Sequence, residues 1–160
     1  MTDDHIYFRW MVENGQIRPS SRAIIVNSSA DRFLVEMNHG ARDQYLNLIG
    51  GGVELGETLK ACLEREIKEE TNARIIKMDY LLVVENFITF KGEITHGLEH
   101  YFQVELDRED VLSTSDEIEF LWFSPDALAD VDLRPHVVRD HIAKGTYRSV
   151  RHLVSRDIVE

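Results

Sequence analysis

The sequence predicts an α/β domain in which a mixed β-sheet is covered by helices. Three observations point there. Several β-rich runs are separated by short polar turns, the helical stretches are few, and the two kinds do not alternate as regular βαβ units. The 160 residues carry no repeat, low-complexity tract or linker, so residues 1–160 are expected to form one domain with a core large enough to fold alone.

Ile6, Phe8, Trp10 and Val12 alternate with Tyr7, Arg9 and Met11, the period of a half-buried strand, and Asn14-Gly15 then signals a turn. Ala23 to Ser28 and Arg32 to Met37 read as two strands joined across Ser28 to Asp31. A glycine-rich loop, Gly50 to Gly56, precedes a helix from about Thr58 to Thr71. Three β-rich runs follow, Ile75 to Val84, Asn86 to Phe90 and His100 to Leu106, with Lys91-Gly92 as a hairpin turn. Glu119 to Phe123 is a further strand. Ser124 is placed to cap a helix with Pro125 at its first position, and Pro135 to Ala143 is another helical stretch.

Composition narrows the function. A formal net charge of −11 argues against a surface built to grip nucleic-acid backbones such as a duplex, which needs clustered Lys and Arg. It leaves room for a small nucleotide held through metal ions. Cys62 is the only cysteine, no signal-peptide pattern opens the chain, and no apolar run is long enough to cross a bilayer, so a cytoplasmic setting without a membrane partner is expected.

The helix carries the most informative chemistry. At about 100° per residue, Leu59, Leu63 and Ile67 form an apolar stripe roughly 80° wide. Glu70 falls inside that stripe, Glu66 lies just beyond its edge, and Glu69 sits further round beside Cys62. Lys60, Glu64 and Lys68 form an alternating, solvated face opposite. Crowding Glu66, Glu69 and Glu70 near a helix C-terminus is unfavourable by on the order of 1–4 kcal/mol, from like-charge neighbours and the helix dipole, against a total stability of roughly 5–15. Arg65, four residues before Glu69, offsets part of this. A hard divalent cation would offset more, since Mg²⁺ takes carboxylate oxygens and keeps waters for a phosphate.

Taken alone, the glutamates also fit a merely acidic helix, and the glycines a tight turn. Their joint spacing is far more specific. Gly51, five residues, Glu57, seven residues, then Arg65-Glu66-Ile67, one residue and Glu69-Glu70 resembles the Nudix box, which spans Gly51 to Ala73 here. Asn72 stands where the box has its second glycine and is expected to end the helix in a left-handed conformation. Ile49 stands where many members carry proline. The segments Glu99 to Phe102, Glu119 to Trp122 and Leu133 to Pro135 resemble the family more loosely.

The resemblance implies a Nudix-type α/β/α sandwich and a pyrophosphohydrolase that splits the diphosphate of a nucleoside diphosphate joined to another group. It implies Mg²⁺, with Mn²⁺ as the alternative. Glu66, Glu70 and Glu69 would be metal ligands, joined by a carbonyl of Gly50 or Gly51, while Arg65 and Glu57 position the carboxylates. A further carboxylate near the final strand would act as base, and Glu117 is preferred over Asp116 and Glu119. The leaving group is left open, and pairing into a homodimer is a further expectation. A non-catalytic Nudix domain that senses a nucleotide, and a diphosphate isomerase, are the rival readings.

Other residues suggest weaker roles. Glu93-x-x-His96 has di-iron spacing but lies in a β-rich stretch, where a helix would be needed. His96 and His100 could meet a phosphate, Phe8, Trp10 and Tyr45 could stack a base, and Arg22 and Arg42 could touch phosphate; ordinary packing is preferred for each. Cys62, beside negative neighbours, is expected to be a buried, unreactive thiol.

Overall fold

A computed structural model describes residues 11–40 and 45–159. Eight strands form one mixed sheet: β1 (Arg18–Val26), β2 (Phe33–Asn38), β3 (Leu46–Asn47), β4 (Gly50–Gly52), β5 (Ile75–Phe90), β6 (Glu93–Leu106), β7 (Ile118–Phe123) and β8 (His152–Val159). Among the described residues the named helices are α1 (Leu59–Glu70), α2 (Pro125–Leu128) and α3 (His136–Ala143), besides a helical turn at residues 11–14.

The strand order is β3-β2-β1-β6-β5-β8, with β4 on β1 and β7 on β2. The β1–β6 and β5–β8 pairs are parallel and the remaining pairs antiparallel. One edge of β1 is shared: its C-terminal end pairs with β2, and Ser20, Ser21 and Arg22 pair with Gly52, Gly51 and Gly50 of β4. This division brings the glycine strand to the middle of the molecule.

Alternation along β1 sends Ala23 and Ile25 to one face and Ile24 and Val26 to the other. On the first face they meet Leu63 and Ile67 of α1, together with Phe102 and Val104 of β6. On the second they meet Leu128, Val138 and Ile142 of α2 and α3, together with Val84 and Tyr101. Two cores on opposite faces of one sheet make the three-layer α/β/α arrangement that the resemblance implies.

Several elements follow the sequence closely. Thr58 caps α1, its Oγ1 accepting from Ala61 N at 3.1 Å, and Ser124 caps α2 in the same way. Lys91 and Gly92 both have positive φ, 50° and 84°, as a two-residue hairpin between β5 and β6 requires.

Other elements depart from it. Met11 and Val12 belong to a helical turn rather than a strand. Gly15 at φ 60° turns the chain so that Gln16 N donates to Met11 O, which closes that turn. Ile6, Phe8 and Trp10 lie outside the described residues. The runs Ile75 to Val84 and Asn86 to Phe90 are one sixteen-residue strand, with irregularities at Ile75/Lys77 and Tyr80/Leu82. β8 has no counterpart among the predicted strands, because its Ser155, Arg156 and Asp157 hide the apolar alternation.

Candidate active site

Ser21 Oγ donates to Leu59 O at 2.8 Å, and Leu63 and Ile67 anchor the next two turns, so α1 lies directly over β1 and β4. The glycines set how closely these elements approach. Gly50 has φ 148°, and a Cβ there would overlap the Ser21 carbonyl. At Gly51 a Cβ would overlap the carboxylate of Glu66, so this glycine is what admits Glu66 to the backbone of β4. Ile49 is fully buried in the α1-side core, a position that proline would fill less completely.

Arg65 organises the carboxylates. Its Nε and Nη2 donate to Glu57 Oε1 and Oε2 at 2.9 and 3.0 Å, a two-pronged contact. Its Nη1 donates to Glu66 Oε1 at 2.7 Å and more distantly to Glu69 Oε2 at 3.4 Å, while Nη2 also reaches the Gly52 carbonyl at 3.1 Å. The guanidinium beside Glu57 holds its carboxyl at about 2, against a smaller opposing effect of burial, with help from the Glu54 N–H. Arg65 itself is pushed above its usual range, mainly by Glu57 and then by Glu66.

The expected division of helix faces holds with one correction. Glu66 is 13% exposed, whereas Glu69 is 59% exposed and reaches into solvent beyond the stripe. Cys62, at nearly the same angle two turns earlier, is buried against the carbonyls of Gly51 and Gly52, whereas Glu69 lies in the final turn, past that contact. Oε2 of Glu70 is buried. Lys60, Glu64 and Lys68 are exposed, as the wheel predicts.

Asn72 corrects the expectation of a left-handed helix end. Among the described residues, Ala30 and Lys91 are the non-glycine residues with positive φ, and Thr71 is extended. Asn72 is needed for its side chain instead. Its Oδ1 accepts from Leu112 N at 2.9 Å, its Nδ2 donates to Asp110 O at 3.3 Å, and its own N–H donates to Leu112 O at 3.1 Å. Thr114 extends the junction, donating from N to Glu70 O at 3.0 Å and from Oγ1 to Glu69 O at 2.7 Å. The segment leading into β7 is thereby fixed to the last turn of α1.

Glu117 and Glu119 share the exposed side of that segment, with Ile118 and Phe120 turned inward, as alternation predicts. Their environments differ. Glu119 pairs with His39 Nε2 at 2.9 Å. Glu117 lies against Gly40, where a Cβ would sit 2.7 Å from its Oε2. The contribution of His39 and Gly40 had no signal in the sequence, since neither belongs to a motif.

The remaining candidates have structural partners. Cys62 is buried, its Sγ 3.5 Å from the carbonyls of Gly51 and Gly52, and its thiol is pushed up to about 11 by burial and then by Glu57 and Glu66. Arg22 donates to Leu48 O and Gly50 O, Arg134 covers the Tyr45 ring, and His96, which lies in β6 rather than on a helix, stacks on Phe87 of β5. Tyr80 OH meets His100 Nδ1 at 3.1 Å, and burial lowers the His100 pKa. Arg42 lies outside the described residues.

Among the described residues, no three His, Cys, Asp or Glu side chains are already gathered as a metal-holding group. The donor chemistry nevertheless fits a hard divalent ion. Glu66 adjoins the Gly51 backbone in a space that any side chain would fill, so carboxylate and peptide oxygens can be shared there.

The fold has close counterparts. A mutator MutT protein from Bacillus halodurans superposes with a TM-score of 0.66 at 21% identity, over 88% of this chain and 89% of that one. NAD-capped RNA hydrolase NudC of Pseudomonas aeruginosa is 26% identical over 123 residues, which is 76% of this chain and 42% of the relative. The NudC of Chromobacterium violaceum is 27% identical over 134 residues, 83% of this chain and 45% of the relative. The chain thus spans less than half the length of these curated relatives. The NUDIX domain model matches residues 17–142, a span that takes in the glycine strand, Arg65 with its carboxylates, and both faces of the sheet. The chain belongs to the Nudix family.

Proposed function

We propose that this protein is a metal-dependent pyrophosphohydrolase that cleaves the diphosphate linkage of a nucleoside diphosphate joined to another group. The observation that carries this reading is the double hold of Arg65 on Glu57 and Glu66, with Glu66 seated on Gly51. A domain that only senses a nucleotide has no need of a guanidinium fixing acidic groups beside a glycine backbone. The similarity to NAD-capped RNA hydrolases supports a nucleotide diphosphate as the substrate class.

Glu66, Glu70 and the Gly51 carbonyl would hold the cation, Mg²⁺ or Mn²⁺, with Glu69 as a further ligand. When bound, it supplies charge neutralisation for the diphosphate and acidifies water. Arg65 keeps Glu66 from turning away and, through Glu57, fixes the loop before α1. Glu117 accepts the proton of the attacking water. The water oxygen bonds to one phosphorus, that phosphorus releases the bridging oxygen, and two phosphate monoesters result. The buried thiol of Cys62 suits a reducing cytoplasm. Among the described residues no helix is long and apolar enough to cross a membrane.

The test combines binding and turnover. Millimolar Mg²⁺ or Mn²⁺ should raise the melting temperature, because an ion that binds only the folded state stabilises it. A panel of nucleoside diphosphate compounds, with products separated by chromatography, should show turnover that EDTA abolishes and added metal restores. Full activity in metal-free buffer would sink the reading, as would a panel that yields no hydrolysis.

A further inference from the structure

Glu99 is an oriented carboxylate that the Nudix box does not use. It lies on β6 on the same face as Tyr101, opposite the face that α1 covers. Tyr101 OH donates to its Oε2 at 2.6 Å, and Asn86 Nδ2 donates to its Oε1 at 3.2 Å, so both oxygens are held in place while the side chain remains half-buried. Behind it stand two orphaned polar atoms. Asn86 is 5% exposed and Ser155 is 3% exposed, and among the described residues neither Asn86 Oδ1 nor Ser155 Oγ has a hydrogen-bond partner.

The register connects this cluster to the glycine strand. Arg18, Gly97, Asn86 and Ser155 stand in one row across β1, β6, β5 and β8, and Gly52, Ser20 and Glu99 stand in the next. Gly97 places no side chain between Arg18 and Asn86. The Arg18 guanidinium lies against Gly52 on this same face, where a Cβ would sit 2.5 Å from Nη2. Gly51 and Gly52 therefore admit opposite charges on opposite faces of one short strand, Glu66 on the α1 side and Arg18 on the other.

We infer that the substrate passes round the edge of the glycine strand that faces away from β1, one phosphate on the Glu66 side and the other toward Arg18, with its ribose hydroxyls on the Glu99 carboxylate. This rests on the diphosphate-hydrolase reading and adds to it the sugar-bearing half of the substrate. The chemistry matches the groups present. A fixed carboxylate is acceptor-only and suits a donor such as a diol, and a planar guanidinium suits a phosphate.

Calorimetry with Mn²⁺ and two non-hydrolysable probes, α,β-methylene-ADP and methylenediphosphonate, separates the two contacts. Wild type should bind the ribose-bearing probe more tightly. Glu99→Gln should weaken α,β-methylene-ADP about tenfold while leaving methylenediphosphonate within about twofold, and Arg18→Gln should weaken both about tenfold. Tyr101→Phe, which keeps the packing and releases one Glu99 oxygen, should act like Glu99→Gln with a smaller effect, and melting temperatures confirm that each variant is folded. Equal affinities of Glu99→Gln and wild type for α,β-methylene-ADP overturn the ribose contact and leave the hydrolase reading standing. Failure of wild type to bind either probe in Mn²⁺ overturns both.

Discussion

Arg65 and Glu57 meet through two parallel hydrogen bonds, 2.9 and 3.0 Å long, across eight residues of sequence. Arg65 is 24% exposed and Glu57 14%, so the pair is sheltered from solvent enough for its geometry to matter. Replacing Arg65 by Lys keeps the charge and loses the fork. The expected result is a fall in kcat of about tenfold or more, because Glu66 is no longer held in register. Steady-state kinetics on Arg65→Lys checks this, and wild-type kcat would show that the fork is dispensable.

The same pair sets an acid limit. The Glu57 carboxyl titrates at about 2 in the folded protein against an ordinary value of 4.5. A depressed folded pKa gives stability that is fully present above the unfolded value and is lost as pH falls through the folded one. The melting temperature of wild type should therefore exceed that of Glu57→Gln by a constant margin above pH 4.5, and the margin should close between pH 4.5 and 2. A margin that instead closed between pH 6 and 8 would place the titration on another group.

Glu70→Gln preserves size and removes the charge proposed to hold the cation, so kcat should fall by about 10² or more. Glu64→Gln, on the exposed face, should leave kcat near wild type. Comparable losses from both substitutions would show that the two helix faces do not differ in function.

The two carboxylates before β7 should separate in the same way. His39 engages Glu119, whereas Glu117 lies beside Gly40 without that partner. Glu117→Gln is expected to lower kcat and leave KM largely intact, the signature of a lost base. Glu119→Gln should change kcat by less than about threefold, because its carboxylate is turned toward the histidine. Near-normal kcat for Glu117→Gln would return the role of base to Glu69.

How much of this was legible in the sequence depended on how local the information was. The span of α1 and the faces of Glu66, Glu70 and Glu64 follow from 3.6-residue periodicity. The Ser124-Pro125 start of α2 and the Lys91-Gly92 hairpin follow from backbone preferences of single residues. β8 escaped because its polar residues face partners on β5 and α3 that periodicity cannot supply, such as Asp157, which accepts from His136 N. The wheel set Glu69 further round than Glu66 but still beside the buried stripe; its exposure depends on where β4 ends, which periodicity does not contain. The Asn72 prediction failed for a similar reason. A left-handed cap is a local property, whereas the observed contacts to Asp110 and Leu112 lie about forty residues downstream.

Those contacts have a kinetic consequence. Thr114 N–H is held by the Glu70 carbonyl and Leu112 N–H by the Asn72 side chain, so neither amide can exchange with solvent unless the junction breaks. The stretch from Asp110 to Glu117 and the final turn of α1 should then open as one cooperative unit, with matching exchange rates for Asn72, Leu112 and Thr114. Any fluctuation that draws Glu117 away also pulls on the backbone carrying Glu69 and Glu70, so the proposed base and the proposed metal ligands would be displaced or kept together.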